Sequence, residues 1–314
     1  MALKVSYTTC SSIFFLLLSL SSLYNSHAHY SQSSEEKRPS PLSFLTNLID
    51  TTHKGHEAEG LSVLKKYLAN LGYIDHTNPT IQTHLNNDLF DDTLETAVRK
   101  YQEFYNLKIT GRLDQETVKQ LQQPRCGLPD IPPNANLTSL VHNWTRNGAL
   151  YTFLGTTWPP GKRYLTFSYP KSTRADAGLP FALAFGKWMI ASPFKFRGIG
   201  DFGSADVKVS FERRDHGDGS PFDGPYGVVA HSFYPPDGRL HFDADESWTP
   251  YVAKGSFDLL TVALHEVGHI LGLGHSPDPK ASMFAYFEPG KARDLNDDEY
   301  SRNPGFVPKL ATLL

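Results

Sequence analysis

Residues 265–275 of this 314-residue chain read His265-Glu266-Val267-Gly268-His269-Ile270-Leu271-Gly272-Leu273-Gly274-His275. Residues four apart lie on one face of a helix, so His265 and His269 can bind one metal ion through their ring nitrogens. The last two glycines let the helix end and the chain turn back, which brings in His275 as a third ligand. Three protein ligands leave the fourth position of a tetrahedral zinc open for water, and Glu266 is the candidate general base for that water. The pattern predicts a catalytic zinc site, and a surface helix with solvated histidines is the alternative.

Two residues outside this helix fit the same chemistry. Met283 follows His275 by eight positions and is expected to form an apolar floor beneath the metal. Cys126 is one of two cysteines and lies in the heptad Pro124-Arg125-Cys126-Gly127-Leu128-Pro129-Asp130. A thiolate is a good zinc ligand, so Cys126 can take the position that the catalytic water needs, while Arg125 pairs with Asp130. The alternative for Cys126 is a buried structural thiol.

The zinc motif and the heptad at 124–130 together resemble the matrix metalloproteinases (matrixins, of the metzincin clan), in the plant type without a hemopexin domain. The resemblance covers about residues 45–290. It implies an α+β metzincin-like catalytic domain, with a twisted sheet, helices and a zinc helix, preceded by a small all-α prodomain. It also implies a zinc endopeptidase made as a zymogen, in which Cys126 is the inhibitory zinc ligand, or cysteine switch.

A second set of possible zinc ligands lies upstream of the zinc helix. All six histidines after His142 fall between positions 216 and 275, and three of them belong to the motif already described. The other three form a four-ligand set with one carboxylate: His216, Asp218, His231 and His241. Four protein ligands leave no open position, so the set predicts a structural zinc, and the matching positions bind structural zinc in matrixins. Taken singly, each histidine could instead be an ordinary surface or core residue.

The resemblance also implies at least one structural calcium ion. Its ligands would be the carboxylates of Asp223, Asp243 and Glu246 and the backbone carbonyls of Gly224, Tyr226 and Val228. Such a set gives the all-oxygen shell that calcium prefers, and a hydrated acidic loop is the alternative. A second calcium site is not predicted, because Asp206 is retained but Arg239 stands where an acidic ligand is expected.

Two segments resemble the sides of the family's substrate cleft. Residues 228–230 resemble an edge strand to which an extended peptide adds by main-chain hydrogen bonds. Residues 284–287 resemble the pocket wall, although the family has Pro and Tyr where Ala285 and Phe287 stand. A preference for a hydrophobic side chain just after the scissile bond is expected.

The chain divides into four predicted regions. Residues 1–28 resemble a secretory signal peptide, because the apolar run at 13–20 is too short to span a bilayer, although a membrane anchor is the alternative. The propeptide at 29–148 contains a peptidoglycan-binding-like helical bundle (about 45–123), the heptad (124–130) and a connector (131–148) with glycosylation sequons at Asn136 and Asn143. The catalytic domain is expected at 149–290 and an atypical tail at 291–314.

Local patterns predict the main elements. Two apolar faces predict helices around residues 61–71 and 94–104, the second with a capping box of Asp92 and Glu95, and Asp114 is expected to cap a third. Alternation predicts strands at 164–169 and 206–211, and apolar runs predict helices at 181–190 and 256–271.

Composition limits the partners. The chain has 30 basic and 33 acidic residues, a net charge of −3, so no basic field for nucleic acid is present. We expect a secreted monomer without a stable membrane span, in the extracellular space or cell wall, acting on protein or peptide substrates there. Peripheral membrane association stays open. Asn303-Pro304-Gly305 interrupts the final predicted helix, so a catalytically weakened, metal-stabilised binding protein is the alternative function. Glycan binding by the bundle is a third hypothesis, on fold analogy alone.

Overall fold

The N-terminal part of the protein is a helical bundle. A computed structural model describes residues 40–75, 77–132 and 156–295. The bundle helices are α1 (Leu61–Asn70), α2 (Pro79–Gln82), α3 (Asp92–Phe104) and α4 (Gln115–Leu121), with 3-10 turns at Ser43–Leu48 and His84–Asn86. Asp114 caps α4 as predicted. The capping box predicted at Asp92 and Glu95 is wrong by one residue, because Asp91 has the extended backbone of an N-cap and accepts from the Leu94 amide.

The described chain from the heptad onward is built on a mixed sheet. Its strands are β1 (Arg125–Cys126), β2 (Tyr164–Ser168), β3 (Lys195–Gly198), β4 (Val207–Glu212), β5 (Val228–Ser232) and β6 (Arg239–Asp243). Their spatial order is β1-β5-β6-β4-β2-β3, and only β5 and β6 are antiparallel. A short parallel ribbon of β7 (Trp248–Thr249) and β8 (Phe257–Asp258) lies outside this sheet. The strands predicted at 164–169 and 206–211 are confirmed within a residue or two, whereas β3 and β6 were not predicted.

Two helices pack together against the sheet and position the candidate site. They are α5 (Gly178–Ala191) and α6 (Leu259–Ile270), and a 3-10 turn at Ala175–Ala177 precedes α5. The indole of Trp188 on α5 donates to the Leu264 carbonyl of α6 over 2.8 Å. Apolar side chains of α5 contact the sheet, where the ring of Phe185 stacks on Phe167. The resulting core fixes α6 beneath the sheet.

The ends of α6 are specified by local residues. Asp258 caps the first turn by accepting from the Thr261 amide over 2.8 Å. At the other end Gly272 adopts φ of 92°, and the Leu273 amide donates back to the Gly268 carbonyl over 3.1 Å. A Cβ at position 272 would lie 2.5 Å from the Thr156 carbonyl oxygen, so only glycine fits there. This glycine stop turns the chain back, as the sequence predicted.

The helical bundle and the sheet-containing part share apolar contacts. Ala285 and Tyr286, which follow α6 in the chain, are fully buried in the hydrophobic core of the bundle. The hydroxyl groups of Tyr101 and Tyr286 lie 2.5 Å apart across this contact. The α+β class with a preceding all-α part is therefore confirmed, and the bundle's core is completed by residues far along the chain.

Several predicted features lie outside the described residues. These are the N-terminal apolar run, the sequons at Asn136 and Asn143, and the helix interruption at 303–305. Within the part of the chain that the structure describes, none of the helices combines the length and apolar character that crossing a bilayer requires.

Candidate metal centres and substrate cleft

Three buried histidines have their rings fixed by hydrogen bonds at Nδ1. His265 and His269 donate from Nδ1 to the carbonyls of Ser282 (2.8 Å) and Leu273 (2.7 Å). Nδ1 of His275 donates to a carboxylate oxygen of Asp130 over 2.7 Å. These bonds select one tautomer, with the lone pair on Nε2, as is usual for metal-binding histidines.

The opposite ring nitrogens converge on one point. Nε2 of His265 lies 2.9 Å from Nε2 of His269, and Sγ of Cys126 lies 3.6 Å from the latter. Two neutral rings that both donate from Nδ1 present lone pairs to each other at this distance, an arrangement that a cation between them relieves. One ligand atom from each of Cys126, His265, His269 and His275 lies within 4.8 Å of the others. This donor set of one sulfur and three nitrogens fits tetrahedral zinc.

Burial shifts the titration of this cluster toward neutral groups. Burial and the neighbouring histidines lower the pKa values of His265 and His269 well below the usual range, and burial lowers that of His275. Burial also raises the pKa of Glu266 to about 7 and raises that of the Cys126 thiol. Neutral imidazole is the form that binds metal, so the histidines are in the binding form at neutral pH.

Glu266 and Met283 complete the surroundings of the cluster. The hydroxyl of Ser232 donates to Oε2 of Glu266 over 2.8 Å, which orients the carboxylate next to the metal ligands. Met283 is fully buried, and a Cβ added to Gly268 would lie 2.3 Å from its sulfur. The side chain therefore packs directly against the helix that carries the histidines, where the sequence predicted an apolar floor.

The heptad at 124–130 fills the space between the two predicted cleft segments. On one side β1 pairs in parallel with β5, and the Gly127 amide donates to the Ala230 carbonyl over 2.9 Å. On the other side the Cys126 amide donates to the Ala285 carbonyl, and the Phe287 amide donates to the Pro124 carbonyl, each over 2.8 Å. Both edges that an extended substrate would use are thus bonded to this segment.

A buried ion pair fixes the shape of the heptad. The Arg125 guanidinium donates to both carboxylate oxygens of Asp130, over 2.6 Å and 3.1 Å, so the predicted pairing is confirmed. The same carboxylate accepts from the hydroxyls of Tyr73 (2.7 Å) and Tyr105 (2.9 Å) in the bundle. The bundle therefore contacts the heptad at its charged centre.

The second predicted zinc set also converges. Nitrogens of His216, His231 and His241 lie 2.8–2.9 Å from one carboxylate oxygen of Asp218. The contacts between ring nitrogens of His241 and the other two are 3.2 Å, near the edge of about 3.3 Å expected for a tetrahedron with zinc–nitrogen bonds of 2.0–2.1 Å.

The ring of His216 is held at both nitrogens. Its Nδ1 donates to the Arg214 carbonyl over 2.8 Å, and its Nε2 lies 2.8 Å from the Asp218 carboxylate. Burial lowers the pKa of His231 to about 4, although Asp218 opposes that change. A neutral ring facing a carboxylate is stabilised by a metal ion between the two groups, so this set fits zinc as well.

The acidic residues predicted to bind calcium lie near one another without comparable convergence. Burial raises the pKa of Asp243 to about 6, and burial together with the charge of Asp243 raises that of Asp223. Glu246 accepts from the Tyr226 amide, and Asp223 accepts from the Val228 amide. Among the described residues, only the two sets above bring three or more His, Cys, Asp or Glu ligand atoms within 4.8 Å of one another.

Near the place where a second calcium site was considered and not predicted, two carboxylates pair with basic side chains. Asp206 pairs with the Lys162 ammonium and accepts from the amide and hydroxyl of Thr166. Arg239 donates to its neighbour Asp237 over 2.7 Å. Both carboxylates therefore already have cationic partners from the chain.

Two known protein families match separate regions of this chain. Residues 160–302 match the matrixin family (peptidase M10), and residues 57–121 match the peptidoglycan binding domain family. Metalloendoproteinase 1 of Glycine max is 38% identical over 296 residues, which cover 90% of this chain and 90% of that protein. The chain belongs to the matrixin family.

Further matrixin relatives extend the comparison. Metalloendoproteinase 2-MMP of Arabidopsis thaliana is 37% identical over 286 residues, covering 81% of this chain and 74% of that protein. Interstitial collagenase of Bos taurus is 34% identical over 257 residues, covering 77% of this chain and 48% of that protein. Matrixins are zinc metalloendopeptidases, so this matrixin is a metalloendopeptidase that acts on protein substrates.

Several contacts of this matrixin's site were not predicted from the sequence. Ser232, which orients Glu266, directly follows a predicted zinc ligand, and that position was the only available indication. The bond from His275 to Asp130 and the contact of Tyr101 with Tyr286 join residues 145 and 185 positions apart. No local spacing encodes such pairs.

Proposed function

We propose that this matrixin is a secreted zinc endopeptidase synthesised as a cysteine-switch zymogen, which hydrolyses peptide bonds of extracellular proteins. The observation that carries the proposal is the position of Cys126 Sγ among the nitrogens of His265, His269 and His275. With zinc bound, the sulfur would be the fourth ligand in the latent protein, and its departure would open the position for water.

The chain's own residues then perform the proton transfers. Zinc, when bound, supplies Lewis-acid polarisation of the scissile carbonyl and lowers the pKa of a bound water. Glu266 accepts the proton of the attacking water and passes it to the leaving amine. Ser232 donates to one oxygen of Glu266, so the other oxygen is available for this role.

The edges of the cleft bind the substrate backbone. The amides and carbonyls of β5 and of residues 284–287, which bond to the heptad in the zymogen, are released when the propeptide leaves. An extended peptide then adds to β5 by main-chain hydrogen bonds. In the zymogen, β1 occupies this edge of β5 and runs parallel to it.

The test is hydrolysis of a quenched collagen-like peptide by the purified secreted chain, before and after an organomercurial that reacts with Cys126. We expect activity only after treatment, with loss of that activity upon chelation and in Glu266→Ala. A protein that retains zinc after Cys126 is modified but hydrolyses no peptide would overturn the proposal. That outcome would favour the alternative of a metal-stabilised binding protein.

We also propose one structural zinc at His216, Asp218, His231 and His241, in addition to the catalytic zinc. Elemental analysis of the purified zymogen is expected to give two zinc ions per chain. His241→Gln should reduce the content to one and lower the thermal midpoint. A single zinc in the parent protein would contradict the assignment.

The acidic loop is proposed to bind at least one calcium ion through Asp223, Asp243 and Glu246, with the carbonyls of Gly224, Tyr226 and Val228. Bound calcium offsets the repulsion between the carboxylates of Asp223 and Asp243. We expect calcium, but not magnesium, to raise the thermal midpoint of the parent protein, and Asp243→Asn to remove this effect. An equal response in the variant would exclude the site.

A further inference from the structure

The pocket wall at residues 284–287, called the wall segment below, has two edges with different partners. Its inner edge, at Ala285 and Phe287, bonds to the heptad in the zymogen. Its outer edge consists of the carbonyls of Phe284 and Tyr286, and both accept from the guanidinium of Arg293. Nη1 donates to Phe284 over 2.8 Å, and Nη2 donates to Tyr286 over 2.7 Å. One planar fork thus binds two carbonyls on the same side of an extended segment.

Arg293 is itself fixed on the zinc helix. Its amide donates to the hydroxyl of Thr261 over 3.0 Å, and that hydroxyl donates to the N-cap Asp258 over 2.7 Å. The next residue, Asp294, pairs with Lys187 of α5 over 2.6 Å. The guanidinium carbon also lies 5.4 Å from the ring centre of Phe284. Arg293 therefore links the wall segment to the first turn of α6, the helix that carries the metal ligands.

We propose that Arg293 is a positioning residue for peptide binding, an inference that rests on the proposed endopeptidase function. Its fork sets the distance and the tilt of the wall segment relative to α6. The inner-edge groups of Ala285 and Phe287 are thereby held in place for a substrate after the propeptide departs. Without the fork, binding of an extended peptide must order the wall segment as well, and that ordering costs free energy.

Kinetics of the organomercurial-activated enzyme test this role. We expect Arg293→Ala to raise KM by roughly tenfold, with a much smaller change in kcat, because the loss falls on binding. Added ethylguanidinium should restore KM whereas ethylammonium should not, and Arg293→Lys should be intermediate. Lys291→Ala is the matched control, since Lys291 is an exposed cation in the same loop. A loss confined to kcat, or equal rescue by ethylguanidinium and ethylammonium, would overturn the proposal.

Amide hydrogen exchange in the zymogen gives a second test that requires no catalysis. The amides of Cys126 and Phe287 bond across the inner edge of the wall segment, whereas those of Arg125 and Gly127 bond to the β5 side. In Arg293→Ala we expect about tenfold faster exchange for the first pair and little change for the second. Unchanged exchange at Cys126 and Phe287, or equal acceleration of all four amides, would refute the role. If no peptide is hydrolysed by the parent protein, the catalytic proposal fails, and this measurement still decides the role of Arg293 in ordering the wall segment.

Discussion

Nδ1 of His275 donates to Asp130 over 2.7 Å, so a candidate metal ligand bonds directly to the heptad. The same carboxylate pairs with Arg125. Burial alone would raise the pKa of Asp130, but the charge of Arg125 and the bond from His275 hold it well below the usual range. Asp130 therefore remains ionised and joins the heptad to the histidine cluster independently of the thiol.

If Cys126 maintains latency as proposed, Asp130→Asn is expected to weaken it. Loss of the charge leaves Arg125 buried without its counterion, a type of change that costs about 3–5 kcal/mol when a buried pair is broken. We expect Cys126 in the zymogen to react with a maleimide at least about tenfold faster than in the parent, because the heptad opens more often. Asp176→Asn, which breaks an exposed ion pair, is the control. Equal thiol reactivity in parent and variant would contradict the role of Asp130.

The hydroxyl contact between Tyr101 and Tyr286 should behave as a coupled pair. Tyr101→Phe or Tyr286→Phe alone leaves one buried hydroxyl without this partner, at a cost of about 1–2 kcal/mol. The double variant should lose less than the sum of the two, by at least about 0.5 kcal/mol. Urea unfolding of the zymogen measures the coupling, and additive losses would show that the hydroxyls do not interact in solution.

Gly268 is expected to tolerate no side chain, because of Met283. The added methyl of Gly268→Ala would meet the Met283 sulfur at 2.3 Å, and overpacking of this type costs about 1–3 kcal/mol. Combining it with Met283→Ala should give less destabilisation than the sum of the two single changes. Gly186→Ala on α5 is the matched control, since its methyl meets no atom within 4 Å and should stabilise the helix by up to about 1 kcal/mol. The thermal unfolding midpoints of the two alanine variants test this prediction, and similar midpoints would refute the packing argument.

The stability of the bundle should depend on pH through Asp91. Burial raises the pKa of this carboxyl, but hydrogen bonds from the Leu94 amide, Lys65 and His84 outweigh burial and lower it overall. A depressed carboxyl pKa contributes stability above the unfolded value of about 4, and that contribution is lost as pH falls through the folded value.

The urea midpoint of the zymogen should therefore exceed that of Asp91→Asn at pH 7. The difference between the two proteins should shrink as pH falls below about 4. Far-UV circular dichroism follows the transition. A difference that grows toward acid pH would reverse the sign and refute the assignment.

The local sequence pattern was sufficient to predict the zinc helix and the residues around it. The spacing of His265 and His269, the glycine stop and the pairing of Arg125 with Asp130 depend on neighbours in sequence, and the structure has each of them. The N-cap of α3 was predicted one residue too late, because Asp91 and Asp92 are adjacent and either aspartate can cap a helix. The choice between them follows from the lysine that contacts Asp91 from α1.

Contacts between distant segments could not be predicted. Arg293 falls in a region assigned to the C-terminal tail, where nothing in the local sequence indicates that its fork reaches two carbonyls of the wall segment. Likewise, the burial of Tyr286 depends on a bundle that precedes it by more than a hundred residues. Such pairings follow from how the elements pack, which a single sequence does not display.

For the proposed zymogen, the shared core of the bundle and residues 285–286 has a consequence for how often latency can be regained. While the proposed zymogen is intact, the bundle is covalently tethered to residues 285–286, and the effective concentration of linked partners is commonly in the millimolar range. Cutting the connector turns rebinding into a bimolecular encounter, so dilution into the surrounding fluid disfavours it. The separated bundle also exposes the apolar surface that Ala285 and Tyr286 had covered. Activation of this matrixin should therefore act as a one-way event whose reversal becomes less probable the further the two pieces diffuse apart.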